Sequence, residues 1–139
     1  MTRQPFDPNK AGGTSVPADI EDLASRTITA AITVHRKLGP GFPESIYEKA
    51  LCIELNDHDI PCQSQAPVTV KYKEQIVGQG RIDILIDNKL VVELKTTESL
   101  LPLHHAQVAA YLKAMNLPLG LLVNFNTTLL KDGLKRIIK

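Results

Sequence analysis

Apolar positions along the first ordered-looking part of the chain recur with helical period. Ile20, Leu23, Ala24, Ile28, Ala31, Ile32, Val34 and Leu38 define one face, and Asp19, Glu21 and Asp22 put negative charge where a helix N-terminus favours it, so a helix is predicted over Ile20–Leu38. Gly39-Pro40-Gly41-Phe42-Pro43 stops it, and Pro43 opens a second helix that carries Glu44, Ile46, Tyr47, Ala50, Leu51, Ile53, Glu54 and Leu55 before Asn56-Asp57-His58-Asp59 and Pro61 end it. The period then changes to two. Val68 and Val70 alternate with Thr69 and Lys71, Lys73-Glu74 turns the chain into Gln75–Gln79, and Gly80 links or bends it into two further runs, Arg81–Ile86 and Leu90–Lys95, so that four short strands follow nearly end to end. Pro102 opens a third helix, Leu103–Asn116. Leu119–Val123 is apolar throughout, as befits a strand covered on both faces, and a turn at Asp132-Gly133 precedes an edge strand through Ile137 and Ile138. The order of elements predicts an α/β sandwich with a mixed sheet and a hairpin near its middle.

The hairpin holds the candidate chemistry. Side chains alternate along a strand, so Arg81, Asp83, Leu85 and Asp87 should share one face and Ile82, Ile84 and Ile86 the other, while Val91, Glu93 and Lys95 lie opposite Leu90, Val92 and Leu94. A three-residue loop, Asp87-Asn88-Lys89, sets Asp83 directly across from Glu93; a two-residue loop would scatter the charges over both faces. Asn88 tolerates the left-handed backbone such a loop needs. Two facing carboxylates repel, and a cation between them resolves the repulsion. Oxygen ligands from Asp83 and Glu93, with a backbone carbonyl such as that of Leu94, suit Mg²⁺ or Mn²⁺. Lys95 points the same way and could stabilise charge developing on a phosphate under hydrolysis. The plainer reading of the same residues is a solvent-facing hairpin with weak surface ion pairs.

Composition narrows the field. A chain of 139 residues, 43% hydrophobic, suits one domain over residues 19–139 behind a flexible polar lead, 1–18. Its apolar runs are shorter than the about 18 residues a membrane span needs and no signal peptide is legible, so a cytosolic protein is expected. Cys52 and Cys62 lack zinc or redox spacing and are expected reduced and partly buried. The net charge of +1 means that a polyanion would be held by local clusters, such as Lys131, Lys135, Arg136 and Lys139, rather than by the global field. His35 is expected as a partly buried or surface histidine rather than a ligand, and Glu44 could simply complement a helix dipole.

Several motifs together carry a resemblance. Gly41-Phe42-Pro43-Glu44-Ser45-Ile46-Tyr47, Gly80-Arg81-Ile82-Asp83, Glu93-Leu94-Lys95, Gln107-Val108-Ala109-Ala110-Tyr111 and Asn124-Phe125-Asn126 occur in that order. The chain from about Leu38 to Ile138 resembles the GxxExxY family of the PD-(D/E)XK nuclease superfamily, close to its RecB-like branch. The resemblance implies a restriction-endonuclease-like αββαβ-type sandwich, its mixed sheet flanked by helices, and a Mg²⁺- or Mn²⁺-dependent nuclease acting on DNA. It makes Glu44 a third metal ligand beside Asp83 and Glu93, Lys95 the catalytic lysine, and Gln107 a residue that orients Lys95 or the scissile phosphate. Tyr111, His104, Tyr47, Arg81 and Lys131 become the expected substrate contacts, with His105 read as surface imidazole. A homodimer would suit a cleft too small to grip a duplex alone. The competing expectation is a module that keeps the fold but binds nucleic acid without turnover or only with a partner.

Overall fold

A computed structural model describes residues 16–139. Most of the expected lead lies outside the described residues; within them, Val16 already packs against the core and Ala18 begins the first helix. In chain order the elements are α1 (Ala18–Leu38), α2 (Glu44–Asp57), β1 (Cys62–Tyr72), β2 (Gln75–Ile86), β3 (Leu90–Lys95), α3 (Pro102–Met115), β4 (Leu119–Asn124), a 3-10 turn (Leu130–Gly133) and β5 (Leu134–Ile138).

The five strands form one sheet in sequence order. β1, β2 and β3 are antiparallel neighbours, β3 and β4 run parallel with α3 as their crossover, and β5 returns antiparallel to β4. Parallel neighbours need such a crossover, which is why the apolar β4 follows a helix. One expectation changes here. The stretch Gln75–Gln79 and the run after Gly80 are one continuous strand, because Gly80 pairs with Val68 in the ladder and does not break it. There are therefore three strands, not four, before α3.

Helices cover both faces. Leu23, Ala24, Ala31 and Val34 of α1 and Tyr47, Leu51 and Leu55 of α2 pack with Ile84, Ile86, Leu90, Val92 and Leu94, and on the other face Val108 and Leu112 of α3 pack with Leu85, Val91 and Leu122. Ile82 does not follow the expected alternation. It joins the α3 side with Ala66 and Val68, although Ile84 is on the α1–α2 side. The regular β2–β3 ladder ends at Ile84, and the backbone around Asp83 bonds to side chains instead, so the period of two is interrupted there.

His35 is a core histidine. Its Nε2 lies 2.8 Å from the Thr127 carbonyl and 3.2 Å from that of Phe125, so it donates to the loop after β4 and ties α1 to it. Cys52 and Cys62 are free and half-buried, and burial followed by the neighbouring Cys62 pushes the Cys52 thiol up to about 12. Such a thiol is inert as a nucleophile.

Candidate active site

The β2–β3 turn closes with Lys89 N–H donating to the Ile86 carbonyl at 2.9 Å, and Asp87 and Asn88 both take left-handed backbone, φ 50° and 55°. Short polar side chains are the ones that tolerate it. Ile86 then faces Leu90, Leu85 faces Val91 and Ile84 faces Val92. One further step in this register brings Asp83 to Glu93. At that step the ladder yields to side chains: Asp83 N–H donates to Glu93 Oε1 at 3.0 Å, and Leu94 N–H donates to Asp83 Oδ2 at 2.8 Å. Each carboxyl is thus pinned by the opposite strand.

Glu93 is only 2% exposed. Burial, followed by the Asp83 charge, pushes its carboxyl up to about 8, against the opposing pull of the Asp83 amide and Lys95. Burial and the neighbouring Asp83 charge thus favour the protonated form of the Glu93 carboxyl. Glu44, the first residue of α2, is raised by burial first and then by Asp83, while Lys95 pulls it down. It therefore lies within electrostatic reach of Asp83 and Lys95. It does not complete a ready ligand set: among the described residues no three His, Cys, Asp or Glu side chains are grouped so as to hold a metal ion. Asp83 and Glu93 contact each other, and Glu44 stands near enough to Asp83 for its charge to be felt.

Lys95 completes the cluster. Its Nζ donates to Gln107 Oε1 at 3.2 Å, and Gln107 Nε2 reaches the Tyr111 hydroxyl at 3.5 Å, a chain linking β3 to one side of α3. Gln107 and Tyr111 are a helical turn apart and so face the same way. Tyr111 in turn lies over Gly80: a Cβ at Gly80 would sit 2.8 Å from the ring Cε1. Glycine is required there because the aromatic ring occupies the space a side chain would fill. α3 itself is seated by a second glycine, since a Cβ at Gly120 would meet Val108 Cγ1 at 2.6 Å.

The carboxyl ends of the parallel strands are joined by a buried amide. Asn124 Oδ1 accepts from Thr97 N–H and Asn126 N–H, each at 3.1 Å, and its Nδ2 donates to the Thr97 carbonyl at 2.9 Å. This latch holds the loop that follows Lys95. Sequence reading assigned Asn124 no role; the available signal was a single amide ending an otherwise apolar strand.

Four expected substrate contacts are placed elsewhere. Tyr47 is fully buried, stacks on Phe125 at 4.5 Å, donates its hydroxyl to the Gly39 carbonyl and accepts from Phe42 N–H at 3.2 Å. It braces the α1–α2 connection. His104 Nδ1 accepts from Leu101 N–H at 3.0 Å, capping α3. Arg81 is turned onto the Gln65 carbonyl of β1 at 3.2 Å. Lys131 stands with Arg36 at a separate cavity of about 330 Å³ beside the 3-10 turn. The structure does gather Asp83, Glu93, Lys95, Gln107 and Tyr111, with Leu94 entering through its N–H.

The donor chemistry fits a hard divalent cation: the pair offers only oxygen ligands, and a cation there would offset the burial and like charge that raise the Glu93 carboxyl. A mixed five-stranded sheet between helices, with an acidic pair and a lysine on a central hairpin, is a restriction-endonuclease-like α/β fold. The sequence profile of the PD-(D/E)XK nuclease superfamily matches residues 21–137, and the chain belongs to that superfamily. No curated protein and no solved structure matches it. No helix among the described residues is long and apolar enough to cross a membrane.

Proposed function

We propose that the protein is a divalent-metal-dependent nuclease that hydrolyses phosphodiester bonds in DNA. The observation that carries this reading is the placement of Asp83 and Glu93 in contact at the same end of a hairpin whose next residue but one from Glu93, Lys95, is oriented by Gln107. Asp83, Glu93 and the Leu94 backbone, with Glu44 as the third acid, would hold Mg²⁺ or Mn²⁺. Such an ion supplies Lewis acidity toward the phosphate and lowers the pKa of water. Lys95 stabilises the negative charge that grows on the phosphoryl oxygens, and Gln107 keeps its ammonium aimed at them. Tyr111 packs behind Gln107 and fixes its amide. The GxxExxY resemblance supports the same roles for Glu44 and Lys95.

Purified protein should nick or degrade DNA with Mg²⁺ or Mn²⁺ and lose that activity in EDTA; Glu93→Gln should abolish it and Lys95→Ala should lower it steeply. Cleavage that persisted unchanged in either variant would end the proposal. A second reading, a binding module that takes the metal but turns over only with a partner, is favoured by the self-satisfied acidic pair and the near-neutral charge. It predicts Mn²⁺ heat in calorimetry without cleavage of any single- or double-stranded substrate.

A further inference from the structure

β1 and β2 are 11 and 12 residues long while β3 has only 6, so much of the β1–β2 ribbon runs past the strand that could cover it. Its outer half leaves Val70, Tyr72, Ile76 and Val77 between 39% and 67% exposed, and Lys73 Nζ lies 5.6 Å from the Tyr72 ring centroid. A two-stranded ribbon with that much bare apolar surface is marginal alone in water and marks a contact surface. Between the ribbon and α3 lies a groove of about 650 Å³, walled by Val70 and Lys71 on one side and Lys113 and Met115 on the other, with no acidic residue in its lining.

The groove adjoins the candidate active site. Lys113 lies on the same helix as Gln107, six residues further on, or about 9 Å along the axis. Gly80 of the ribbon meanwhile touches Tyr111, the partner of Gln107.

We propose that this groove holds an unpaired stretch of the nucleic-acid substrate leading into the Asp83–Glu93–Lys95 site, with Lys71 and Lys113 on backbone phosphates and bases against Val70 and Met115. The proposal rests on the nuclease reading above. Two lysines without an acid complement a polyanion, and an apolar wall has something to contact only when bases are unstacked and accessible. A second copy of this chain is the weaker occupant. The free edge of β1, where copies would pair, carries Pro67, a bulge between Val70 and Lys71, and a left-handed Gln65, φ 54°, features that blunt edge pairing.

The test is fluorescence anisotropy in EDTA with labelled oligothymidylate, oligouridylate and a duplex of equal length, on the wild-type chain and on Lys71→Glu/Lys113→Glu. Single strands should bind more tightly than duplex, and the ratio of the thymidylate and uridylate constants assigns DNA or RNA as the source. The double variant should weaken strand binding at least tenfold. The neutral pair Lys71→Gln/Lys113→Gln, at two exposed positions, should flatten the slope of log K against log salt by about 1.4, at ~0.7 per phosphate contact. Unchanged strand binding and salt slope in both folded variants would overturn the proposal, as would preference for duplex, or loss of self-association alone in sedimentation. The nuclease reading is judged separately, by cleavage in Glu93→Gln: strand binding lost in the lysine variants of a chain that never cleaves sinks that reading and leaves the groove standing.

Discussion

Glu93→Gln separates the electrostatics of the acidic pair from its packing. Glutamine matches the shape of the protonated acid and carries no charge at any pH. In the native chain the Glu93 carboxyl is pushed up to about 8 from an ordinary 4.5. Between these values the folded chain holds a proton that the unfolded chain has lost, so stability must fall as pH rises. One proton gives a slope of about 1.4 kcal/mol per pH unit, and the full interval amounts to at most about 5 kcal/mol, a large part of a typical folding free energy. The contribution is complete below pH 4.5 and lost above about pH 8. The chain has no tryptophan, so urea unfolding is best followed by far-UV circular dichroism at a series of pH values from 5 to 9. The wild type should lose stability relative to Glu93→Gln across that range, and saturating Mn²⁺ should remove the difference in slope, because the cation takes the place of the proton. Stability curves for the two chains that run parallel with pH would refute the reasoning.

Lys95→Ala should lower the cleavage rate by about 10²–10³ with little change in substrate affinity, and Gln107→Ala by less, as measured by single-turnover kinetics with Mn²⁺. Tyr47→Phe should cost about 1–2 kcal/mol in urea unfolding, through lost hydrogen bonds to Gly39 and Phe42, and leave the single-turnover rate unchanged, which would separate a core brace from a substrate contact. Gly80→Ala should cost about 1–3 kcal/mol, and in a double-mutant cycle Tyr111→Ala should recover much of that loss, since the ring is what the new methyl group meets. Asn124→Ala strips partners from Thr97 and Asn126 in a buried setting and should cost about 2–4 kcal/mol in the same unfolding assay.

Helix periods, the proline and glycine stops, and the apolar run at Leu119–Val123 determined α1, α2, α3 and β4 to within a residue or two, because each of these signals is local. The facing of Asp83 and Glu93 was legible for the same reason: once the loop length is set, the register of a hairpin is arithmetic. Local signals failed where a residue's use depends on what packs against it. Gly80 reads as a strand break in isolation and becomes a strand interior because β1 pairs with it and Tyr111 covers it. Tyr47, one turn from Glu44, reads as a site residue, yet Phe125, almost eighty positions later, supplies the ring that stacks on it and buries it. Asn124 is the converse, a residue whose chemistry appears only when the crossover of α3 lays β4 beside β3 and brings Thr97 within reach. The chain alone thus determined which side chains a strand or helix presents together; the tertiary structure decided which of those faces are buried, because burial is a property of the partner surface and the partners here lie far apart in sequence.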